Sequence, residues 1–117
     1  MAYALLILEP QGQRKARTEA EGRDHYDQML RFSEELKGQG LLTVAQSLKS
    51  DGEGVRVSMR DARSTLVDGP FVESKEMIGG FLLLTCVDRA QAVAIAQACP
   101  AVGWATVEVR ELGPCFS

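Results

Sequence analysis

The chain has 117 residues, which is room for one domain and one hydrophobic core. Its 13 Lys and Arg stand against 16 Asp and Glu, giving a net charge of -3 and a pI near 5.1, and aromatic residues make up 6% of the total. There is no basic stripe to neutralise phosphates and few rings to stack on bases, so direct nucleic-acid binding is not expected, and no apolar run approaches membrane-spanning length.

In chain order, Tyr3 to Leu8 reads as a buried strand. Its apolar core is too short for a signal peptide, lacks a basic leader and is stopped by Glu9-Pro10. Glu9 to Arg17 reads as a polar connection rich in turn formers. Thr18, with Glu21 three residues on, has capping-box spacing and opens a helix to about Lys37, where Gly38 and Gly40 are natural stops. Leu41 to Leu48 is the next strand. Val55, Val57 and Met59 alternate with Arg56 and Ser58 as a half-buried strand does, and Arg60 to Arg63 turns it onto a partner over Ser64 to Val67. Phe81 to Val87 is a further strand. Asp88 with Gln91 repeats the capping-box spacing and starts a helix with Ala90, Val93, Ala94 and Ala98 on one face, ended by Pro100. Ala105 to Leu112 is the last strand, and Gly113 to Ser117 is a tail that frays.

That order predicts an α+β domain, a ferredoxin-like βαββαβ skeleton with an inserted β-hairpin. Ala4 to Leu8 and Phe81 to Leu84 are apolar at successive positions, so both faces of the central strands want burial, whereas two helices cover one face only. A homodimer through the open sheet face is the expected cover. The rival is the inserted hairpin folding across that face.

Cys86, Cys99 and Cys115 are odd in number and far apart, which matches neither a disulfide framework nor Cys-x-x-Cys metal spacing and suits a reducing cytoplasm. With a single histidine, the chain offers no ligand set for zinc or iron, so no metal and no cofactor is expected. Cys99 stands at a helix C-terminus, where the negative end of the dipole disfavours a thiolate, and is expected to be a buried structural cysteine.

The segment Asp68-Gly69-Pro70-Phe71-Val72-Glu73-Ser74-Lys75-Glu76-Met77-Ile78-Gly79-Gly80 is more heavily specified than a plain connection needs. Its Asp68-Gly69-Pro70-Phe71, Glu73, Lys75-Glu76 and Gly79-Gly80 resemble the signature of the DGPF branch of the YCII-related (YciI-like) family. Tyr3 to Leu8, Gly40-Leu41, Cys99-Pro100 and Val107-Glu108-Val109-Arg110 resemble that branch too, so the likeness spans nearly the whole chain. The resemblance implies a dimeric α/β-barrel built from ferredoxin-like subunits. It implies little about activity: a few relatives are similar to dehalogenating or dehydrochlorinating enzymes of aromatic breakdown, and DGPF proteins are often linked with extracytoplasmic-function sigma factors.

Two readings of the segment stand side by side. In one, Asp68 accepts amide hydrogens further along, Gly69 is extended before Pro70, and Phe71 plugs a rigid corner. In the other, the corner aims Glu73, Lys75 and Glu76 into a cavity beside the helices, where with Phe71 they hold a small organic ligand. Gly79-Gly80 permits close backbone approach but lacks the spacing of a phosphate loop. His25 is the natural general acid or base near neutral pH, and it falls one turn before the apolar stripe Met29, Phe32 and Leu36. A catalytic His25 needs a carboxylate to orient it, with Asp68 preferred and Asp24 and Asp27 as local alternatives; otherwise it is a histidine packed at a helix start. In the wider YciI-like family a first-helix histidine pairs with the aspartate of an Asp-Pro motif, and Cys99-Pro100 stands in that place here, which removes the inherited partner. Trp104, with Tyr3 and Tyr26, is the candidate lining for a flat apolar ligand, the alternative being a core tryptophan beside a strand. Two functions from different classes follow: a ligand-binding or regulatory module, and a small lyase or dehydrochlorinase-like enzyme that moves a proton with His25.

Overall fold

The strand alternation that starts at Tyr3 continues further than Pro10 would suggest. In the computed structural model, which describes residues 1–85 and 87–116, β1 runs Ala2–Pro10 and buries Tyr3, Leu5, Ile7 and Glu9 in alternation. Pro10 falls where its outer neighbour has already stopped pairing, a margin at which a residue without an N–H is tolerated. A short helix, α1 (Gln13–Ala16), occupies the predicted polar connection. Next comes α2 (Glu19–Gly38), whose Thr18 and Glu21 close the capping box: the Glu21 N–H donates to the Thr18 hydroxyl, and the Thr18 N–H donates to the Glu21 carboxylate. Strand β2 (Leu42–Ser47) follows, then the hairpin β3 (Val55–Arg60) and β4 (Arg63–Asp68), turned by Asp61 and Ala62 at positive φ. Strand β5 (Glu76–Thr85), helix α3 (Arg89–Ala98) and strand β6 (Thr106–Glu111) complete the chain. β5 begins five residues before the predicted Phe81, while Cys86 of the predicted strand and Ser117 of the predicted tail lie outside the described residues.

The main sheet is antiparallel, in the order β2-β5-β1-β6, and β3 and β4 form a separate two-stranded sheet. The α+β class and the inserted hairpin are as the sequence predicts. Tyr3, Leu5, Ile7, Leu82 and Leu84 share one face of the sheet and form the core with Leu36 of α2 and Ala92 and Ala96 of α3. The face of α3 differs from the expected one. Ala90, Ala94 and Ala98 are exposed, and the buried stripe is Ala92, Ile95, Ala96 and Cys99. Alanine at every second position offers two competing stripes, and the one carrying Ile95 and Cys99 buries more apolar surface. Burial pushes the Cys99 thiol above its ordinary range, so this residue is the inert cysteine that its place at the helix end predicts.

The opposite face of the sheet carries Ala4, Leu6, Leu8, Val44, Ile78, Phe81 and Leu83, paired across strands as Leu6 with Phe81, Leu8 with Ile78, and Val44 with Leu83. The hairpin does not cover it. The molecule is 19 Å thick, enough for one helix layer on one sheet and no more, while its other dimensions are 47 and 41 Å. Every residue of β3 is exposed, and every residue of β4 but Thr65. The rival expectation, a floor roofed by its own hairpin, is therefore not what the chain adopts. Among the described residues no helix is long and apolar enough to cross a membrane.

Candidate functional site

Beside α2 the sheet leaves a cavity of about 420 Å³, within the range of small-molecule sites. Its floor is Ile7 and Glu9 of β1, Ala45 to Ser47 of β2, and Gly79 to Leu82 of β5. Its wall is Gly22, His25, Tyr26, Met29, Leu30 and Ser33 of α2, and Ala101, Trp104, Arg14 and Arg17 complete the lining.

The glycine pair explains the floor. Ile7 pairs with Gly80 but the next residue, Leu8, pairs with Ile78, so Gly79 is the extra residue of a β-bulge. The side chain of Glu9, only 4% exposed, passes through the space a side chain at residue 79 would fill; a Cβ on Gly79 would overlap the Glu9 carboxylate. A buried carboxylate needs a partner, and Arg14 of α1 supplies one in bidentate form, Nε to Oε1 at 3.0 Å and Nη2 to Oε2 at 2.6 Å. Arg14 also donates to the carbonyls of Leu48 and Gly79, at 2.7 and 3.1 Å. The guanidinium thus joins β1, β5 and the chain just after β2, and both charges of the pair are spent on structure.

His25 is placed differently from the expected dyad. Its ring lies flat on the Trp104 indole, with centroids 3.8 Å apart and planes 3° from parallel. Its Nδ1 stands 3.1 Å from Nη1 of Arg17, which folds over Gly22. A guanidinium only donates, so Nδ1 is the acceptor in this contact. Arg17 makes no ion pair among the described residues and remains the charged donor facing the cavity. The structure does not bring Asp68 to His25: the hydrogen bond of the ring runs to Arg17, and Asp68 is the last residue of β4, opposite Val55. Glu9 is the one carboxylate among the described residues of the lining, and Asp24 is taken by Gln28. Of the three aromatic candidates, Tyr26 and Trp104 line the cavity, while Tyr3 is buried in the core.

The Asp68–Gly80 segment divides. Gly79 and Gly80 line the cavity, whereas Phe71, Glu73, Lys75 and Glu76 are absent from its walls. Of the first reading, the structure shows the buried Phe71 plug, with Asp51 rather than Asp68 as the acid that accepts from the corner. Asp51, in the turn before β3, accepts from the Phe71 N–H at 3.2 Å and from Gln11 Nε2 at 2.7 Å. Phe71 is 8% exposed, a plug lying under the Arg56 guanidinium at 3.8 Å, and Arg56 pairs with Glu73 at 3.0 Å. The main chain of Lys75, rather than its ammonium, is used here: its carbonyl accepts from the Gln11 N–H.

The Gln11 amide, before the Phe71 N–H, the Ser50 side chain and the Arg56 charge, holds the Asp51 carboxyl below the usual carboxylate range, against a partial burial that acts the other way. A group with a lowered folded value adds stability above its unfolded pKa, near 3.8, and loses it as the pH falls through the folded value. The expected result is that the Phe71 amide resonance titrates with a midpoint below 3.8, and that Asp51→Asn abolishes that titration in an NMR series.

The sequence reading missed Glu9, Arg14 and Arg17. A usable signal was present, because Glu9 is in phase with Tyr3, Leu5 and Ile7 and so had to face the core, where a nearby cation is required. Among the described residues no group of His, Cys, Asp and Glu could hold a metal ion.

No curated protein matches the sequence. Among solved structures, the fold is similar to 5-chloro-2-hydroxyhydroquinone dehydrochlorinase (TftG) from Burkholderia phenoliruptrix AC1100, solved in complex with 2,5-dihydroxybenzoquinone. The TM-score is 0.58 at 17% identity, covering 97% of this chain and 94% of that one, a likeness of fold. The YCII-related domain matches residues 1–115, nearly the whole of the fold described above, and the chain therefore belongs to the YCII-related family.

Proposed function

We propose that the protein is a small-ligand-binding module whose cavity takes a planar, anionic ring compound. The observation that carries this reading is the pairing of a flat wall, the His25–Trp104 stack, with the Arg17 guanidinium, in a cavity whose lining carboxylate is already neutralised by Arg14. A planar ligand gains stacking area, and its anionic oxygen gains the guanidinium. The dihydroxybenzoquinone of the structurally similar dehydrochlorinase supports a ligand of this kind.

Catalysis by His25 lacks its usual support here: the ring has a cation where a carboxylate would orient it. The second reading, a lyase or dehydrochlorinase-like enzyme, is favoured by the histidine on the cavity wall and by the chemistry of the structural neighbour. Two measurements, of binding and of chloride release, separate them. Binding of 2,5-dihydroxybenzoquinone and simple hydroxybenzoates is measured by calorimetry on wild type, Arg17→Gln and His25→Ala. The binding reading expects saturable affinity and about a 10- to 100-fold loss in Arg17→Gln, as loss of a charge-assisted hydrogen bond of about 1.5–3 kcal/mol dictates. Chloride release from chlorinated hydroxyhydroquinones that falls by about 10² in His25→Ala establishes the enzyme instead. No binding and no release overturns both.

The proposed assembly is a homodimer of ferredoxin-like subunits closed into an α/β barrel through the open sheet face. Its support is the row Leu6, Leu8, Ile78, Phe81 and Leu83 left without cover by this chain.

A further inference from the structure

The inserted hairpin uses none of its apolar residues within its own chain. Val55, Val57 and Met59 of β3 are 53, 65 and 67% exposed, and Leu66, directly across from Val57, is 66% exposed. These four lie on one face of the ribbon. A two-stranded hairpin with nothing packed on it is marginal in water.

Its root, by contrast, is firmly built. The Gly69 N–H donates to the Gly54 carbonyl at 2.9 Å, Asp51 holds the Phe71 amide, Phe71 is sunk under Arg56, and Arg56 is held by Glu73. Gly69 lies so close to the Asp51 carbonyl that a Cβ there would overlap it. A root fixed this tightly gives the ribbon one direction, and that direction leaves the molecule. The radius of gyration is 15.9 Å, against roughly 13 Å for an ordinary domain of this length.

We infer that the β3–β4 hairpin is an intersubunit arm whose apolar face, Val55, Val57, Met59 and Leu66, is covered by a second copy of this chain. Area points to that occupant. A stable interface needs about 800 Å² from each partner. The open face of a four-stranded sheet offers roughly 300 Å² in projection, and an apolar ribbon face of two six-residue strands roughly 200 Å². In a two-fold pair each protomer both lends an arm and receives one, so on the same projected measure the two arm contacts add more to each side than the sheet face itself offers. One event then covers both bare surfaces of the chain, which a different partner on the arm would not do.

This inference rests on pairing through the open sheet face, and the test separates the two. Sedimentation equilibrium is run on wild type and on Val57→Ser/Met59→Ser, both exposed positions, with circular dichroism to confirm the fold. The arm predicts a wild-type dimer and at least a tenfold weaker dimer in the variant. A wild-type dimer with unchanged dissociation in the variant overturns the arm and leaves the sheet-face pairing standing, and a wild-type monomer at micromolar concentration overturns both. Should the variant fail to fold, amide exchange on the wild type decides: protection of β3 and β4 that rises with dimer fraction supports the arm, and protection independent of concentration overturns it.

Discussion

Replacing Arg14 with methionine is expected to destabilise the fold by about 3–5 kcal/mol, the usual cost of leaving a buried charge without its partner. For a domain of this size that is a fall in Tm of about 12–20 °C, and a large share of a typical total of about 5–15 kcal/mol. The reason is the position of Glu9, which is 4% exposed and receives two of the hydrogen bonds from Arg14. Two further acceptors, the carbonyls of Leu48 and Gly79, lose a donor in the same step. The double variant Glu9→Leu/Arg14→Met is the control: with both charges gone it should recover most of the loss. Denaturant unfolding of the four proteins of the cycle measures this, and a single-variant loss below about 1 kcal/mol would mean that the pair is screened like a surface bridge.

That pair also shows where the sequence was legible and where it was not. The element order followed from patterns with a direct physical meaning: the capping boxes at Thr18 and Asp88 are both formed, and the alternation over Val55 to Met59 is a strand. The stripe His25, Met29, Phe32 and Leu36 does face the sheet. What failed was the assignment of charged residues to surfaces. Glu9 ended a strand in the sequence reading, yet the pleat carried it inward, and only a contact with a residue on another element reveals why that is tolerated. The same limit applies to Gly79-Gly80, whose meaning depends on a bulge set by pairing with β1. It applies to Asp51 as well: nothing in the spacing from Asp51 to Phe71 announces that this acid, rather than Asp68, caps the corner. Local periodicity fixes which face a side chain takes, whereas partners distant in sequence fix what it does there.

Gly69→Ala is the second large effect. The new methyl would overlap the Asp51 carbonyl oxygen and lie 2.9 Å from its carbon, and both atoms are backbone, so no side chain can swing aside. Overpacking of this kind costs about 1–3 kcal/mol and more where the neighbours cannot move, and the expected loss is at or above the top of that range. Two other glycines calibrate it. At Gly54 a Cβ would meet the same carbonyl oxygen at 3.2 Å, a contact that a small shift relieves, and at Gly113 it would meet nothing within 4 Å. The expected order is therefore Gly69→Ala well below Gly54→Ala in stability, with Gly113→Ala within about 0.5 kcal/mol of wild type. Equal losses in all three would show that the close approach to the Asp51 carbonyl does not set the cost at Gly69. Because the corner does not line the cavity, folded Gly69→Ala should bind a planar anion as wild type does while its arm is misdirected, so its dimer should weaken while its ligand affinity holds. Loss of both together would join the corner to the cavity and restore a functional part to Glu73, Lys75 and Glu76.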